Sequence, residues 1–156
     1  MEQLYITYNQ LLKTVDVSFV RYMYSRIKWS GRMLGLVGPR GIGKTTMLLQ
    51  HIKLHLPIDK TLYVSADNLY FVDHSLVELA DTFVKRGGQH LIVDEIHKYS
   101  GWSRELKQVY DTHPDLQLIF TGSSILDIYK GVSDLSRRAP IYEMQGLSFR
   151  EYLYLF

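Results

Sequence analysis

The chain has 156 residues, of which 46% are hydrophobic and 22% charged, and its formal net charge at pH 7 is +2. This length and composition are ordinary for one soluble globular domain, and the small charge gives no argument for a nucleic-acid surface. The absence of cysteine excludes disulfides and thiolate metal sites. No signal-peptide pattern and no stretch long enough to span a membrane is found, so we expect a cytoplasmic protein without membrane contact.

Residues 1–30 are expected to form a helical segment that precedes the main domain at residues 31–156. Apolar residues recur in this segment at a loose helical spacing, although β-branched residues from Thr14 to Val20 can break the helix. The segment is also rich in tyrosine and can either pack on the core or present a face to another chain. We favour packing on the core.

Five short apolar runs predict β-strands, and most of them are separated by helical patterns. The predicted strands are residues 33–37, 61–65, 89–94, 116–120 and 139–144, and the predicted helices are residues 46–55, 76–84, 101–110 and 125–130. Asp73 or Ser75 is expected to cap the second of these helices. Strands that alternate with helices at this spacing predict β-α-β units with right-handed crossovers. The expected fold is a three-layer α/β/α sandwich with a five-stranded, mostly parallel sheet.

A glycine-rich loop joins the first predicted strand to the first predicted helix. Its residues are Gly38, Pro39, Arg40, Gly41, Ile42, Gly43, Lys44, Thr45 and Thr46, which match the phosphate-binding pattern G-x-x-x-x-G-K-[ST]. The glycines let the backbone N–H groups point inward around an anion. Lys44 adds a positive charge for the β- and γ-phosphates, and the Thr45 hydroxyl can ligate Mg²⁺. The loop therefore predicts a P-loop that binds a nucleotide with Mg²⁺.

A pair of carboxylates follows the third predicted strand. Asp94 ends the apolar run, where P-loop proteins keep the carboxylate that holds Mg²⁺, and we assign Asp94 to the metal together with Thr45. Glu95 comes next and is expected closer to the γ-phosphate, where it can orient and deprotonate the attacking water. The alternative is that both are simply polar residues after a strand.

Polar residues further along the chain add to this predicted site. Residues 121–124 follow the fourth strand, which we expect between the first and third, and the Ser123 hydroxyl there can contact the γ-phosphate or the water. The alternative is that Ser123 or Ser124 caps the next helix. Arg137 and Arg138 precede the fifth strand, and one of them, acting in cis or in trans, can stabilise the transferring phosphoryl group. The alternative is a solvated surface pair.

Two histidines, His51 and His55, stand four residues apart on the helix after the P-loop. Metal sites can use this spacing, but no acidic third ligand lies nearby in the sequence. We therefore interpret both as ordinary residues of a polar helix face or edge.

Seven segments spread over nearly the whole chain resemble the AAA-type ATPases of the AAA_14 family. They are residues 27–32, 37–46, 63–67, 91–98, 121–124, 135–138 and 147–152. The resemblance implies ATP and Mg²⁺, a five-stranded parallel core, a polar sensor residue within 121–124 and an arginine at Arg138. It also implies a longer protein with a C-terminal domain beyond Phe156. The apolar residues 152–156 are expected in a helix that packs on such a region.

Three functions are compatible with these residues. The first is an ATPase domain that hydrolyses ATP and drives or switches a larger protein; the Asp94-Glu95 pair favours it, and the GTPase patterns Asp-x-x-Gly and Asn-Lys-x-Asp are missing. The second is a nucleotide-gated binding module with little hydrolysis. The third is a helicase-like motor core, suggested by residues 94–97. Expected partners are ATP and ADP, the C-terminal domain, further copies of the chain, and nucleic acid through the full-length protein.

Overall fold

A five-stranded sheet forms the centre of the computed structural model, which describes residues 1–132, 135 and 138–156. The strands are β1 Met33–Val37, β2 Thr61–Ser65, β3 His90–Asp94, β4 Gln117–Gly122 and β5 Ile141–Glu143. Their order in the sheet is β2-β3-β4-β1-β5, and every neighbouring pair is parallel. The predicted α/β fold class is confirmed, and β4 lies between β1 and β3 as expected.

Helices precede, connect and follow the strands. They are α1 Glu2–Thr14, α2 Lys44–His55, α3 Tyr70–Asp73, α4 Leu76–Lys85, α5 Trp102–Thr112, α6 Ile125–Val132 and α7 Phe149–Leu155. Helices α1 and α2 contact each other, whereas α5 contacts both α4 and α6. Within the described part of the chain, no helix is both long and apolar enough to cross a membrane.

Strands β1 to β4 form because their central residues are apolar on both faces, as a parallel sheet between helices requires. All five residues of β1 are buried, and β3 and β4 are buried beyond their first residue. Gly35 in the middle of β1 has a packing reason: a Cβ there would lie 2.6 Å from Ile141 Cδ1 and 2.7 Å from the Phe120 ring. The glycine therefore lets β4 and β5 close tightly on β1.

The helix α4 begins with a capping box. Ser75 Oγ accepts a hydrogen bond from the Glu78 N–H at 3.1 Å, and the Glu78 side chain accepts from the Ser75 N–H at 2.7 Å. Of the two predicted caps, Ser75 is therefore the one used, and Asp73 ends the short helix α3 instead.

The N-terminal segment is helical only in part. Helix α1 ends at Thr14, where the β-branched run begins, and a single 3₁₀ turn at Tyr22–Arg26 follows. Helix α1 buries Leu4, Tyr8 and Leu12 against the core. The division of the chain at residue 30 stays a prediction.

Residues 15–29 run along α2 as a strap. Gln50 Nε2 donates to the carbonyls of Asp16 and Phe19 at 2.8 and 2.7 Å, and Lys53 Nζ donates to the Val15 carbonyl at 3.0 Å. These side chains of α2 satisfy carbonyls of the irregular strap. The strap is thereby fixed to the helix that follows the P-loop.

His51 is a core residue and not the polar-face residue that its spacing suggested. Its side chain is only 4% exposed, its ring stacks on Trp29 at 3.9 Å between centroids, and Nδ1 lies 2.8 Å from the Tyr24 hydroxyl. Burial, and to a smaller degree the nearby His55 and His90, lower the pKa of His51 to about 4. The aromatic residues of the strap bury this histidine.

We expect the buried His51 to make the protein less stable in mild acid. An unfolded histidine binds a proton below about pH 6.5, whereas the folded His51 binds one only below about pH 4. The unfolded state therefore gains protons first, and the free energy of unfolding falls by about 2 kcal/mol between about pH 7 and pH 5. Urea unfolding at both pH values measures this loss.

The variant His51→Gln should lose less stability between the two pH values, while the control His74→Gln, at an exposed position after α3, should behave as the wild type. Equal pH dependence in wild type and His51→Gln would show that other groups cause the loss.

Candidate functional site

The P-loop follows β1 at the carboxyl edge of the sheet, as the sequence predicts. The Gly38 N–H donates to the Gly122 carbonyl at the end of β4, at 3.2 Å. Gly43 has φ 94° and directly precedes α2. Gly38 has φ 150°, and a Cβ there would collide with the Met144 carbonyl and lie 2.7 Å from Ile42 Cδ1. These glycines are therefore required by the loop's conformation.

Lys44 is folded into the loop that it belongs to. Its Nζ donates to the carbonyls of Gly38 and Pro39 at 2.7 and 2.8 Å, and the residue is only 4% exposed. Burial lowers the pKa of the Lys44 ammonium, and the carboxylates of Glu95 and Asp94 act in the opposite direction. The ammonium of Lys44 therefore lies within the loop, bound to two of the loop's own carbonyl groups.

A cleft of about 430 Å³ opens beside the loop. Its lining consists of Arg40, Gly41, Gly43, Lys44, Thr45, Thr46, Asp67, Glu95, Lys98 and Ser123. The lining combines the P-loop with residues that follow β2, β3 and β4, whose carboxyl ends meet at the same edge of the parallel sheet. The structure therefore brings most of the predicted site residues into one cleft.

Asp94 is buried and surrounded by hydrogen-bond donors. Thr45 Oγ1 donates to Oδ2 at 2.6 Å, the Tyr63 hydroxyl donates to the same oxygen at 2.5 Å, and the Thr121 hydroxyl donates to Oδ1. Burial and, next, the Asp94 charge raise the pKa of Tyr63, so the Tyr63 hydroxyl keeps its proton and stays a donor. These contacts hold the carboxylate against the first turn of α2.

Thr45 and Asp94 fit the ligand preference of Mg²⁺. A hydroxyl and a carboxylate oxygen 2.6 Å apart are the hard oxygen donors that Mg²⁺ takes beside water and nucleotide phosphates. In residues 1–132, 135 and 138–156 no group of three His, Cys, Asp or Glu side chains is arranged to hold a metal ion. Thr45 and Asp94 are two oxygen ligands that a Mg²⁺ ion shared with phosphates would need.

Glu95 has a backbone conformation that is rare for its residue type. Its φ of 52° and ψ of 43° lie in the left-handed region. The Glu95 N–H donates to Asp94 Oδ1 at 3.1 Å and to Thr121 Oγ1 at 3.0 Å, which hold the strained residue in place. Its carboxylate accepts from the Ser123 hydroxyl at 2.7 Å and lies 3.3 Å from His97 Nε2. Side-chain and backbone contacts both fix Glu95 at the cleft.

The two serines after β4 have different contacts. Ser123 lines the cleft and donates to Glu95, whereas the Ser124 hydroxyl donates to Asp127 at 2.5 Å, in the first turn of α6. Of the two serines, Ser123 is therefore the one at the cleft, and Ser124 belongs to the start of the helix.

Arg138 lies away from the cleft. Its Nε is 3.3 Å from Asp111 Oδ1 near the end of α5, and the two side chains are 33% and 49% exposed. Arg138 precedes β5 and so lies toward the amino ends of the strands, opposite the P-loop edge. Arg137 lies outside the described residues. The structure thus does not bring Arg138 to the cleft of its own chain.

Two residues that contact the carboxylates of this site were not predicted from the sequence. Tyr63 binds Asp94 from β2, and His97 contacts Glu95 from the turn after β3. A tyrosine within a buried strand was the available signal, because a buried hydroxyl needs a partner. The sequence carries no comparable signal for His97.

Comparisons with known proteins agree with this geometry. The family model AAA_14, described as an AAA domain, matches residues 30–153. The chain also resembles the Walker-type ATPase PABY2304 of Pyrococcus abyssi, with a TM-score of 0.59 and 16% identity over 80% of this chain and 52% of that one. C. elegans PCH-2 gives a TM-score of 0.54 and 17% identity over 94% of this chain and 42% of that one.

The chain thus spans about half the length of these two solved structures. At identities this low, the likeness shows the fold alone. No curated protein sequence matches it. The family match extends over most of the chain and includes the P-loop, β3 with its two carboxylates and the start of α7. The chain belongs to the AAA_14 family of AAA domains.

Proposed function

We propose that this domain binds ATP with Mg²⁺, hydrolyses it, and drives or switches a larger protein. The observation that carries the proposal is the 2.6 Å contact between Thr45 of the P-loop and Asp94 of β3, with Glu95 fixed beside it. This contact joins the phosphate-binding loop to the carboxylates in the arrangement that metal-assisted phosphoryl transfer needs.

Each residue of the cleft has a distinct task in this proposal. The P-loop N–H groups and Lys44 bind the β- and γ-phosphates, after Lys44 exchanges its bonds to Gly38 and Pro39 for bonds to phosphate. Thr45 and Asp94 would hold Mg²⁺, which would neutralise charge on the phosphate oxygens when bound.

The Glu95 carboxylate is the general base in this proposal. It accepts a proton from a water molecule aligned with the γ-phosphate, and the Ser123 hydroxyl holds the carboxylate in place. Lys44 and the backbone N–H groups of the loop then stabilise the negative charge on the reacting phosphate.

An assembly of several copies would give Arg138 a role. Because Arg138 lies toward the opposite edge of the sheet and is partly exposed, any part that it takes in phosphoryl transfer would be at the nucleotide of a neighbouring copy. The proposal therefore includes catalysis in trans and a homo-oligomer.

Titration calorimetry with Mg²⁺ and a non-hydrolysable ATP analogue, followed by phosphate release from ATP, tests the proposal. We expect saturable binding that EDTA weakens, and phosphate release that rises more than proportionally with protein concentration if copies must assemble. No binding, or binding that is indifferent to Mg²⁺, would contradict it.

The second candidate function is a nucleotide-gated binding module with little hydrolysis. It is favoured by the hydrogen bond between Ser123 and Glu95, which occupies the carboxylate, and by the distance of Arg138 from the cleft. Both features would make ATP hydrolysis by the isolated domain slow.

The variant Ser123→Ala distinguishes the two functions. If Ser123 positions the base, phosphate release falls by roughly tenfold while the affinity for Mg²⁺-ATP changes by less than about threefold. Ser124→Ala is the matched control, because it removes the neighbouring hydroxyl, which is bound to Asp127. Faster phosphate release in Ser123→Ala would instead mean that Ser123 restrains Glu95, as in the gated module.

A further inference from the structure

Arg21 of the strap joins three separate parts of the chain. Nη1 donates to the Ile42 carbonyl in the P-loop at 2.6 Å, and Nη2 donates to the carbonyls of Gln145 and Gly146 at 2.8 and 2.9 Å. Nε donates to Glu151 Oε1 of α7 at 2.9 Å. The guanidinium is planar, so its donors fix these segments relative to one another. The Arg21 side chain is only 11% exposed.

The bond to Ile42 bears directly on the phosphate site. In a trans peptide, the carbonyl of one residue and the N–H of the next point in opposite directions. Arg21 therefore turns the Gly43 N–H away from itself, and Gly43 lines the cleft. Since Gly41 and Gly43 flank Ile42 with positive φ, this part of the loop has unusual rotational freedom, which the bond from Arg21 limits.

The other end of the contact is equally well fixed. The Glu151 carboxylate accepts from the N–H groups of Tyr22 and Ser148 at 2.7 and 2.8 Å, in addition to Arg21. Burial alone would raise the pKa of Glu151, but these hydrogen bonds outweigh it and lower the pKa to about 2. At neutral pH, Arg21 and Glu151 therefore form a charged and largely buried pair.

We infer that Arg21 is a positioning residue for the P-loop and that, through Glu151, it couples the conformation of the loop to the position of α7. One guanidinium contacts both Glu151 of α7 and the Ile42 carbonyl. A displacement of α7 therefore removes a partner from Arg21 and lets the Ile42–Gly43 peptide rotate more freely. By linkage, a ligand that fixes the P-loop also holds α7 in place. This inference rests on the proposed binding of ATP at the P-loop.

Affinity measurements on four proteins test the coupling. Mg²⁺-ATP binding is measured for the wild type, Arg21→Lys, Glu151→Gln and the double variant. We expect Arg21→Lys to bind about tenfold more weakly, because an ammonium cannot reproduce the fork of bonds. Glu151→Gln should weaken binding about threefold, although Glu151 lies in α7 and outside the P-loop. The double variant should bind no more weakly than Arg21→Lys.

The matched control is Arg150→Ala, which removes an exposed charge from the residue next to Glu151 and should leave the affinity unchanged. Hydrogen exchange provides a readout that a merely structural role would not move. Mg²⁺-ATP should slow amide exchange in α7 several-fold in the wild type and not in Arg21→Lys. If Arg21→Lys does not fold, Glu151→Gln carries both measurements.

The outcomes separate the two proposals. Affinities within about twofold in Arg21→Lys and Glu151→Gln, or additive losses in the double variant, would overturn the coupling and leave ATP binding intact. A wild type that does not bind Mg²⁺-ATP would overturn both.

Discussion

Lys44→Ala is expected to weaken the binding of Mg²⁺-ATP by roughly ten- to a hundredfold. The lysine supplies the one ammonium within the described P-loop, and charge-assisted hydrogen bonds of this kind contribute about 1.5–3 kcal/mol each. Its two present partners, the carbonyls of Gly38 and Pro39, show that its Nζ already lies within the loop. Binding a phosphate therefore requires an exchange of partners and little rearrangement of the chain.

Calorimetry of nucleotide binding measures this effect, and thermal unfolding checks the fold. Removing the ammonium leaves two carbonyls of the loop without this donor, so some loss of stability is expected. Lys60→Ala is the matched control, because it removes an exposed ammonium that lies outside the P-loop, α2 and the strap. A folded Lys44→Ala protein with wild-type affinity would show that the nucleotide is bound elsewhere.

The sheet and the centre of the site could be predicted because local patterns determine them. The predicted bounds of β1 and β2 agree with the structure, since each strand is an apolar run between polar or turn residues. Asp94 was placed near Thr45 because parallel strands bring their carboxyl ends to one edge. Such predictions need only element type and topology.

The remaining contacts depend on register and side-chain direction, which a single sequence does not reveal. Tyr63 reaches Asp94 because β2 and β3 pair with Ser65 opposite Asp94. Arg21 lies in a stretch whose periodicity indicated only a loose helix, and its partner Glu151 is 130 residues away. The family resemblance implies a functional arginine at Arg138, but the fold turns this side chain toward Asp111 and away from the cleft.

Glu95→Gln is expected to retain Mg²⁺-ATP binding within about threefold and to lower phosphate release by at least about a hundredfold. Glutamine keeps the shape of the side chain and can still accept a hydrogen bond from Ser123, but its amide cannot take up a proton. Loss of a general base typically costs 10²- to 10⁴-fold. Binding and phosphate release are measured on the same samples, with saturating Mg²⁺-ATP in the release assay.

The exposed Asp127 provides the matched control, because Asp127→Asn removes one negative charge from α6, four residues after Ser123, and should leave phosphate release unchanged. Equal rates in the wild type and Glu95→Gln would remove Glu95 from the mechanism. Slow release in both proteins together with tight binding would favour the gated module, or a domain that requires Arg138 from a neighbouring copy.

The backbone of Glu95 gives this prediction a second readout. A left-handed conformation costs a residue with a side chain roughly 1–2 kcal/mol, and glycine avoids most of that cost. Glu95→Gly should therefore raise the free energy of unfolding while it loses phosphate release as Glu95→Gln does. A strained residue that destabilises the fold and yet is fixed by Asp94, Thr121 and Ser123 is what a functional constraint on this position would produce. If Glu95→Gly were less stable than the wild type, side-chain contacts of Glu95 would outweigh its strain, and its conformation would carry no argument for catalysis.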